Sequence, residues 1–163
     1  MSWHDIKPSP EAWYNGAETG MQLKKAERRY HLTTDDYARL AAWRHALRGF
    51  LHFSELAAAE AGLASQQYQA MLVVRGWPAE GRVTINDLAQ QLYIKHNSAV
   101  GLVDRLVQQG LMTRETSSAD RRKVELALTP RGREVLAALA AMHRRELQRL
   151  RPMFKRFFAE ISR

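Results

Sequence analysis

Apolar and polar positions change their period twice between Thr84 and Gly132. Ile85, Leu88, Ala89 and Leu92 recur at helical spacing, Tyr93 to Lys95 interrupt them, and Ala99, Leu102, Val103 and Leu106 resume the spacing until Gly110. Such intervals place the apolar residues on one face of each of two short helices. Thr84 with Asp87 three residues on has the form of a capping box with aspartate in the acidic position, which marks the first start. The second helix, predicted over about His96 to Gln109, has a polar opposite face, because Asn97, Gly101, Arg105 and Gln108 are spaced by four, four and three residues. Two short helices, a tight turn and a polar second helix match the helix-turn-helix plan, whose second helix enters the major groove of DNA.

After Gly110 the period falls to two. Leu111 to Thr116 and Val124 to Thr129 predict strands, and SSADRRK between them predicts a hairpin tip that carries Arg121, Arg122 and Lys123. Arg82 and Val83 could form one further, very short strand. Thr129 then reads as the cap of a helix whose first position is Pro130, where a missing amide proton is harmless.

Longer helical patterns flank this segment. A helix is expected from Thr33 or Thr34, one of which caps it, with Asp35 and Asp36 suited to the positive end of its dipole. Tyr37, Leu40, Ala41, Leu47, Phe50, Leu51, Phe53, Leu56 and Ala57 give it a broad apolar face to about Ala61, and Gly62 stops it. That length exceeds what packing within a small domain requires, which points to a partner helix. Ser65 is the expected cap of the next helix, with Tyr68, Met71 and Leu72 on one face before Gly76, Trp77 and Pro78. At the other end Val135, Leu136, Leu139, Met142, Leu147 and Leu150 predict a long amphipathic helix that stops at Arg151 and Pro152. Phe154, Phe157, Phe158 and Ile161 predict a separate short last helix. Residues 1–32 hold Pro8, Pro10, Gly16 and Gly20 without a sustained period and read as an extension lacking its own core. Lys24, Lys25, Arg28 and Arg29 there form a basic cluster, either a solvated arm or a phosphate contact. Trp3, Trp13 and Tyr14 argue against complete disorder of that arm.

Composition narrows the function classes. The 163 residues fit one domain or a small domain with helical additions, and 45% hydrophobic content is ordinary for a globular protein. No run of eighteen apolar residues and no signal-peptide core is present, so no membrane association and a cytoplasmic location are expected. With no cysteine there are no disulfides, thiolate nucleophiles, cysteine zinc sites or thiol-based peroxide sensing. Lys and Arg number 25 against 17 Asp and Glu, and the resulting net charge of +8 favours a polyanionic partner. The six histidines are dispersed without metal-ligand spacing, so neither a metal nor another cofactor is expected. No GxSxG elbow, phosphate-binding glycine loop or HExxH pair suggests an enzyme, although catalytic residues can be distant in sequence.

DLAQQLYIKHNSAVGLVDRLVQQGL, together with Asp120-Arg121-Arg122 followed by five residues and Leu128-Thr129, resembles the MarR family of bacterial transcriptional regulators. The order of elements from about Thr33 to the carboxyl terminus is also similar. The resemblance implies a mainly α fold with a small β-hairpin, a winged helix-turn-helix flanked by long dimerisation helices. Residues 1–32 would then be an N-terminal extension, 33–62 and 130–163 dimerisation helices, and 63–129 the DNA-binding lobe. It further implies a homodimer reading an inverted repeat of double-stranded DNA. Many such relatives are repressors released by a small aromatic or anionic effector bound between the dimerisation helices and the lobe. Two positions depart from the family pattern. Tyr93 stands where glycine is frequent, and Lys95 where a capping serine or threonine is frequent.

These readings define two candidate sites. In the recognition helix Asn97 can donate and accept at adenine, His96 and Ser98 can meet base edges or phosphates, and Gly101 permits close approach. Lys95 and Arg105 complete that set. On the wing Arg122 corresponds to the family's arginine and could enter a narrow minor groove, with Asp120 orienting it and Arg121 or Lys123 on phosphate. The competing reading of the wing is a salt-bridged surface turn. His45, Arg48 and His52 share one side of the first long helix and could meet a carboxylate near Tyr68, Met71 or Arg75; an interface or surface cluster is the competing reading. The expected function is a sequence-specific, ligand-responsive repressor. The alternatives are a constitutive or architectural DNA-binding protein, and an enzyme without a recognisable motif.

Overall fold

The computed structural model of the protein describes residues 32–77, 83–116 and 124–161. In chain order the elements are α1 (Thr34–Glu60), α2 (Ser65–Gly76), β1 (Val83–Thr84), α3 (Ile85–Gln91), α4 (His96–Gln108), β2 (Met112–Thr116), β3 (Val124–Leu128) and α5 (Pro130–Ile161). The predicted hairpin is part of a three-stranded antiparallel sheet in the order β1-β3-β2, with Val83 opposite Leu126 and Met112 opposite Leu128. The described chain divides into two compact units, residues 54–143 and residues 32–53 with 144–161.

Local chemistry accounts for the helix ends in the first unit. Thr84 Oγ1 donates to Asp87 Oδ2 across 2.6 Å, the Thr84 amide donates to the same oxygen at 3.0 Å, and the Asp87 amide returns a bond to Thr84 Oγ1. This reciprocal box satisfies amides that a helix start leaves open. Three helices close alike: Leu63 donates to Ala58, Ile94 to Ala89 and Leu111 to Leu106 through backbone amides. In that closure the residue before each donor takes a left-handed conformation. Gly62 (φ 74°), Gly110 (φ 68°) and Tyr93 (φ 53°) occupy it.

The core of this unit is continuous with those patterns. Met71, Val83, Leu88, Leu102, Val103, Leu106 and Met112 are its largest fully buried side chains, so the apolar faces of α2, α3 and α4 meet the sheet. Thr129 ties the end of α4 to the start of α5. Its hydroxyl donates to the Gly110 carbonyl at 2.8 Å and accepts from the Gly132 amide at 2.9 Å, while its amide donates to the Leu111 carbonyl. A Cβ on residue 132 would overlap the Leu111 carbonyl, so this approach requires glycine.

In the second unit Trp43 stacks on Phe157 and meets Phe154 edge-on, both at 4.8 Å between ring centroids, with Phe158 at 5.4 Å. Its α1 segment starts at a second box, in which Thr33 Oγ1 donates to Asp36 Oδ2 at 2.7 Å. The hydrogen bonds from Thr33 hold the Asp36 carboxyl below its ordinary value, with Arg39 adding to the effect.

Three local expectations are corrected. The interruption expected at Arg151 and Pro152 is absent, because Pro130–Ile161 is one helix with Pro152 inside it. A proline within a helix costs about 3 kcal/mol, whereas three aromatic pairs at about 0.5–1.5 kcal/mol each, besides their buried area, offset it. Ser65 is the first helical residue of α2 rather than its cap. Ala64 takes the cap position and has no side-chain acceptor; Gln67 Oε1 accepts from the Ala64 amide at 2.8 Å, and the Ala64 carbonyl accepts from the amides of Gln67 and Tyr68. Leu72 is exposed, since the packed face of α2 runs through Tyr68, Met71 and Val73. Among the described residues no helix is long and apolar enough to cross a membrane.

Candidate nucleic-acid interface

α4 divides cleanly into two faces. Ala99, Leu102, Val103 and Leu106 are buried, while Lys95, His96, Asn97, Ser98 and Arg105 are exposed. Burying the first set fixes the rotation of the helix, and that rotation alone turns the second set outward. Gly101 does not leave bare backbone: a Cβ there would stand 3.7 Å from Arg105 Nη1, so the guanidinium folds along the position the glycine opens. Lys95 caps α4 without a side-chain hydrogen bond, consistent with a lysine having no acceptor to offer.

Three contacts at this surface have no counterpart in the periodicity of the chain. Arg114 on β2 reaches Asp104 on α4, Nη1 to Oδ1 at 2.7 Å, and donates from Nη2 to the Val100 carbonyl at 3.5 Å. The pair links β2 to α4. His96 Nδ1 lies 2.7 Å from Oδ1 of Asn86, near the start of α3. The spacing of Asn97, Gly101 and Asp104 already put Asp104 beside the polar face, which was the only available signal for its role. The candidate wing residues Asp120, Arg121, Arg122 and Lys123, and the basic and aromatic residues of 1–31, lie outside the described residues.

The candidate effector residues separate by environment. His45, Arg48, His52 and Arg75 are exposed. Tyr68 and Met71 are instead core side chains, because the spacing that aligned them also placed them on the packed face of α2. The Tyr68 ring stacks on His143 at 4.4 Å, and burial pushes its phenol above the ordinary value.

Comparison with known proteins agrees with this geometry. Residues 61–123 match the MarR family. The organic hydroperoxide resistance transcriptional regulator of Bacillus subtilis is 36% identical over 66 residues, 40% of this chain and 43% of that protein. YsmB, an uncharacterised HTH-type transcriptional regulator of the same organism, is 30% identical over 80 residues, 49% of this chain and 53% of its own. The chain thus spans about half the length of the curated relatives it matches. Among solved structures, a variant of MepR from S. aureus superposes with a TM-score of 0.66 at 15% identity, covering 80% of this chain and 95% of that one. The transcriptional repressor CouR, bound to a 23-mer DNA duplex, gives 0.54 at 26% identity, covering 80% and 93%. Residues 61–123 thus resemble the MarR family, the two curated relatives are transcriptional regulators, and the described residues share the fold of the MepR and CouR structures.

Proposed function

We propose that the protein is a transcriptional repressor that binds an inverted-repeat operator as a homodimer, with α4 of each copy in a major groove and the β2–β3 tip against the neighbouring backbone. The observation that carries this reading is the outward row of His96, Asn97, Ser98 and Arg105 on a helix whose opposite face is locked into the core. Phosphate contacts supply affinity and base edges supply specificity, and this row together with the +8 net charge offers both. The CouR structure on duplex DNA lends support at 26% identity. A second copy is supported by large apolar side chains left exposed in the second unit, Leu40, Leu47 and Leu51 on α1 and Leu147 and Phe158 on α5.

Release by a small aromatic or anionic effector extends the same proposal, and CouR solved with p-coumaroyl-CoA supports it as a property within this fold. Thiol oxidation is not open to these 163 residues, which contain no cysteine. Calorimetry with a panel of aromatic acids tests the extension, and absence of binding by every compound withdraws it.

Selection of bound duplexes from random sequence tests the main reading. A palindromic site with half-sites about 10 base pairs apart is expected. Asn97→Ala should lose about 1–3 kcal/mol and relax one adenine preference. Charge reversal at Arg122 should flatten the salt dependence of binding. Failure to enrich any sequence, or Asn97→Ala binding with undiminished affinity and preference, would count decisively against the proposal.

A further inference from the structure

The contact between α3 and α4 fixes more than their spacing. His96 is the first residue of α4 and Asn86 the second of α3; both side chains are exposed. His96 Nδ1 and Asn86 Oδ1 are 2.7 Å apart. The oxygen of an amide only accepts, so the proton of this bond belongs to Nδ1. In a neutral imidazole one nitrogen donates and the other accepts. In the neutral ring the lone pair therefore falls to Nε2, which has no partner among the described residues. Asn86 is well placed to impose this state, because the box between Thr84 and Asp87 pins the backbone on either side of it.

We propose that Asn86 is a positioning residue for base recognition, holding His96 in the Nδ1–H tautomer so that Nε2 accepts a hydrogen bond from an exocyclic base amine. In the major groove such donors are adenine N6 and cytosine N4, whereas guanine presents only the acceptors O6 and N7. The lone pair of Nε2 is attracted by the first two and repelled by the third. The opposite tautomer would invert this preference, since Nε2–H would donate to guanine. Selectivity at one operator position is thus set by a side chain on α3 that does not itself reach the base. This inference rests on DNA reading through α4.

The test uses the full chain at pH 8, where imidazoles are mainly neutral, and compares the wild type with Asn86→Leu, Asn86→Asp and His96→Gln. Long-range proton–nitrogen spectra, with His96→Gln identifying the signal, report the His96 tautomer directly. Selection from random duplexes reports the base preference. Wild type and Asn86→Asp, both of which offer an acceptor, should show Nδ1–H and select adenine or cytosine at the position that His96→Gln alters. Asn86→Leu, similar in volume but without an acceptor, should mix the tautomers and lose about three- to tenfold of the discrimination against guanine, the value of one net hydrogen bond. Helical content unchanged by circular dichroism would separate that loss from misfolding. An Nε2–H tautomer in the wild type, or an unaltered preference in Asn86→Leu, overturns the role of Asn86 while leaving DNA reading intact. A wild type that selects no sequence overturns both.

Discussion

Ser54 donates its hydroxyl proton to Nε2 of His143 across 2.8 Å, joining α1 to α5 inside the first unit. In a neutral ring the direction follows from the other nitrogen, where Nδ1 donates to the Leu139 carbonyl at 2.7 Å and keeps the proton. Both side chains are buried, at 7% and 6% exposure. Ser54→Ala would leave a buried acceptor facing a methyl group, for which a loss of about 1–3 kcal/mol is expected. Urea denaturation measures it, and an unchanged midpoint would show that the bond carries no net stability.

Tyr68 lies against the same imidazole and gives a prediction at alkaline pH. Burial raises its phenol above 10.0, so the folded protein favours the neutral form more than the unfolded chain does. The sign follows from that direction: the contribution is complete below the unfolded value and disappears as pH rises through the higher folded value. Stability should therefore fall above about pH 10, and Tyr68→Phe should flatten that part of the profile. Equal slopes in wild type and variant would assign alkaline unfolding to other groups.

Thr129 and Gly132 make the junction between the lobe and α5 sensitive to single atoms. Thr129→Val removes a cap that serves Gly110 and Gly132 together, and about 1–2 kcal/mol should be lost. Gly132→Ala adds one carbon where the Leu111 carbonyl stands, so α5 must shift away from it, at about 1–3 kcal/mol. Thermal unfolding of the two variants tests both figures. A Gly132→Ala protein as stable as wild type would mean that the two segments are not held this closely in solution.

Tyr93 shows how one departure from a sequence pattern acquires a physical meaning. It is 64% exposed and holds φ 53° where the other two helices with this closure use glycine. A left-handed residue with a side chain costs about 1–2 kcal/mol, and glycine loses about 0.5–1 kcal/mol of that advantage to its freer unfolded chain. Tyr93→Gly should stabilise the lobe by up to about 1 kcal/mol, seen as a higher midpoint in denaturant. A lower midpoint would mean that the Tyr93 ring makes a compensating contact.

What could be read in advance follows the range of the interactions involved. The Thr84–Asp87 box, the buried and exposed faces of α4, and Thr129 with Pro130 are set by neighbours within about one helical turn, and the intervals in the sequence specify them. Ser54 and His143 meet across 89 residues, so no local pattern could pair them. Asn86 with His96 and Asp104 with Arg114 are each ten residues apart, but their meeting depends on the turn at Tyr93 and the register of β2. Pro152 failed as a stop for a related reason: the rings that sustain α5 beyond it meet Trp43, more than a hundred positions earlier.

Arg114 could serve as a brace or as a phosphate contact, and the two roles differ in the sign of one measurement. Its pairing with Asp104 is partly exposed, so Arg114→Ala should cost no more than about 1 kcal/mol of stability. Either role predicts weaker DNA binding by that variant. Asp104→Asn separates them. If Arg114 were a phosphate contact restrained by Asp104, removing the carboxylate would free a cation, remove a negative charge and tighten binding. If the pair instead holds β2 against α4, the same change loosens the wing and weakens binding despite the more favourable net charge. The brace predicts the second result, together with a non-additive loss in the double variant. Tighter operator binding by Asp104→Asn, measured at fixed salt, would assign Arg114 to phosphate.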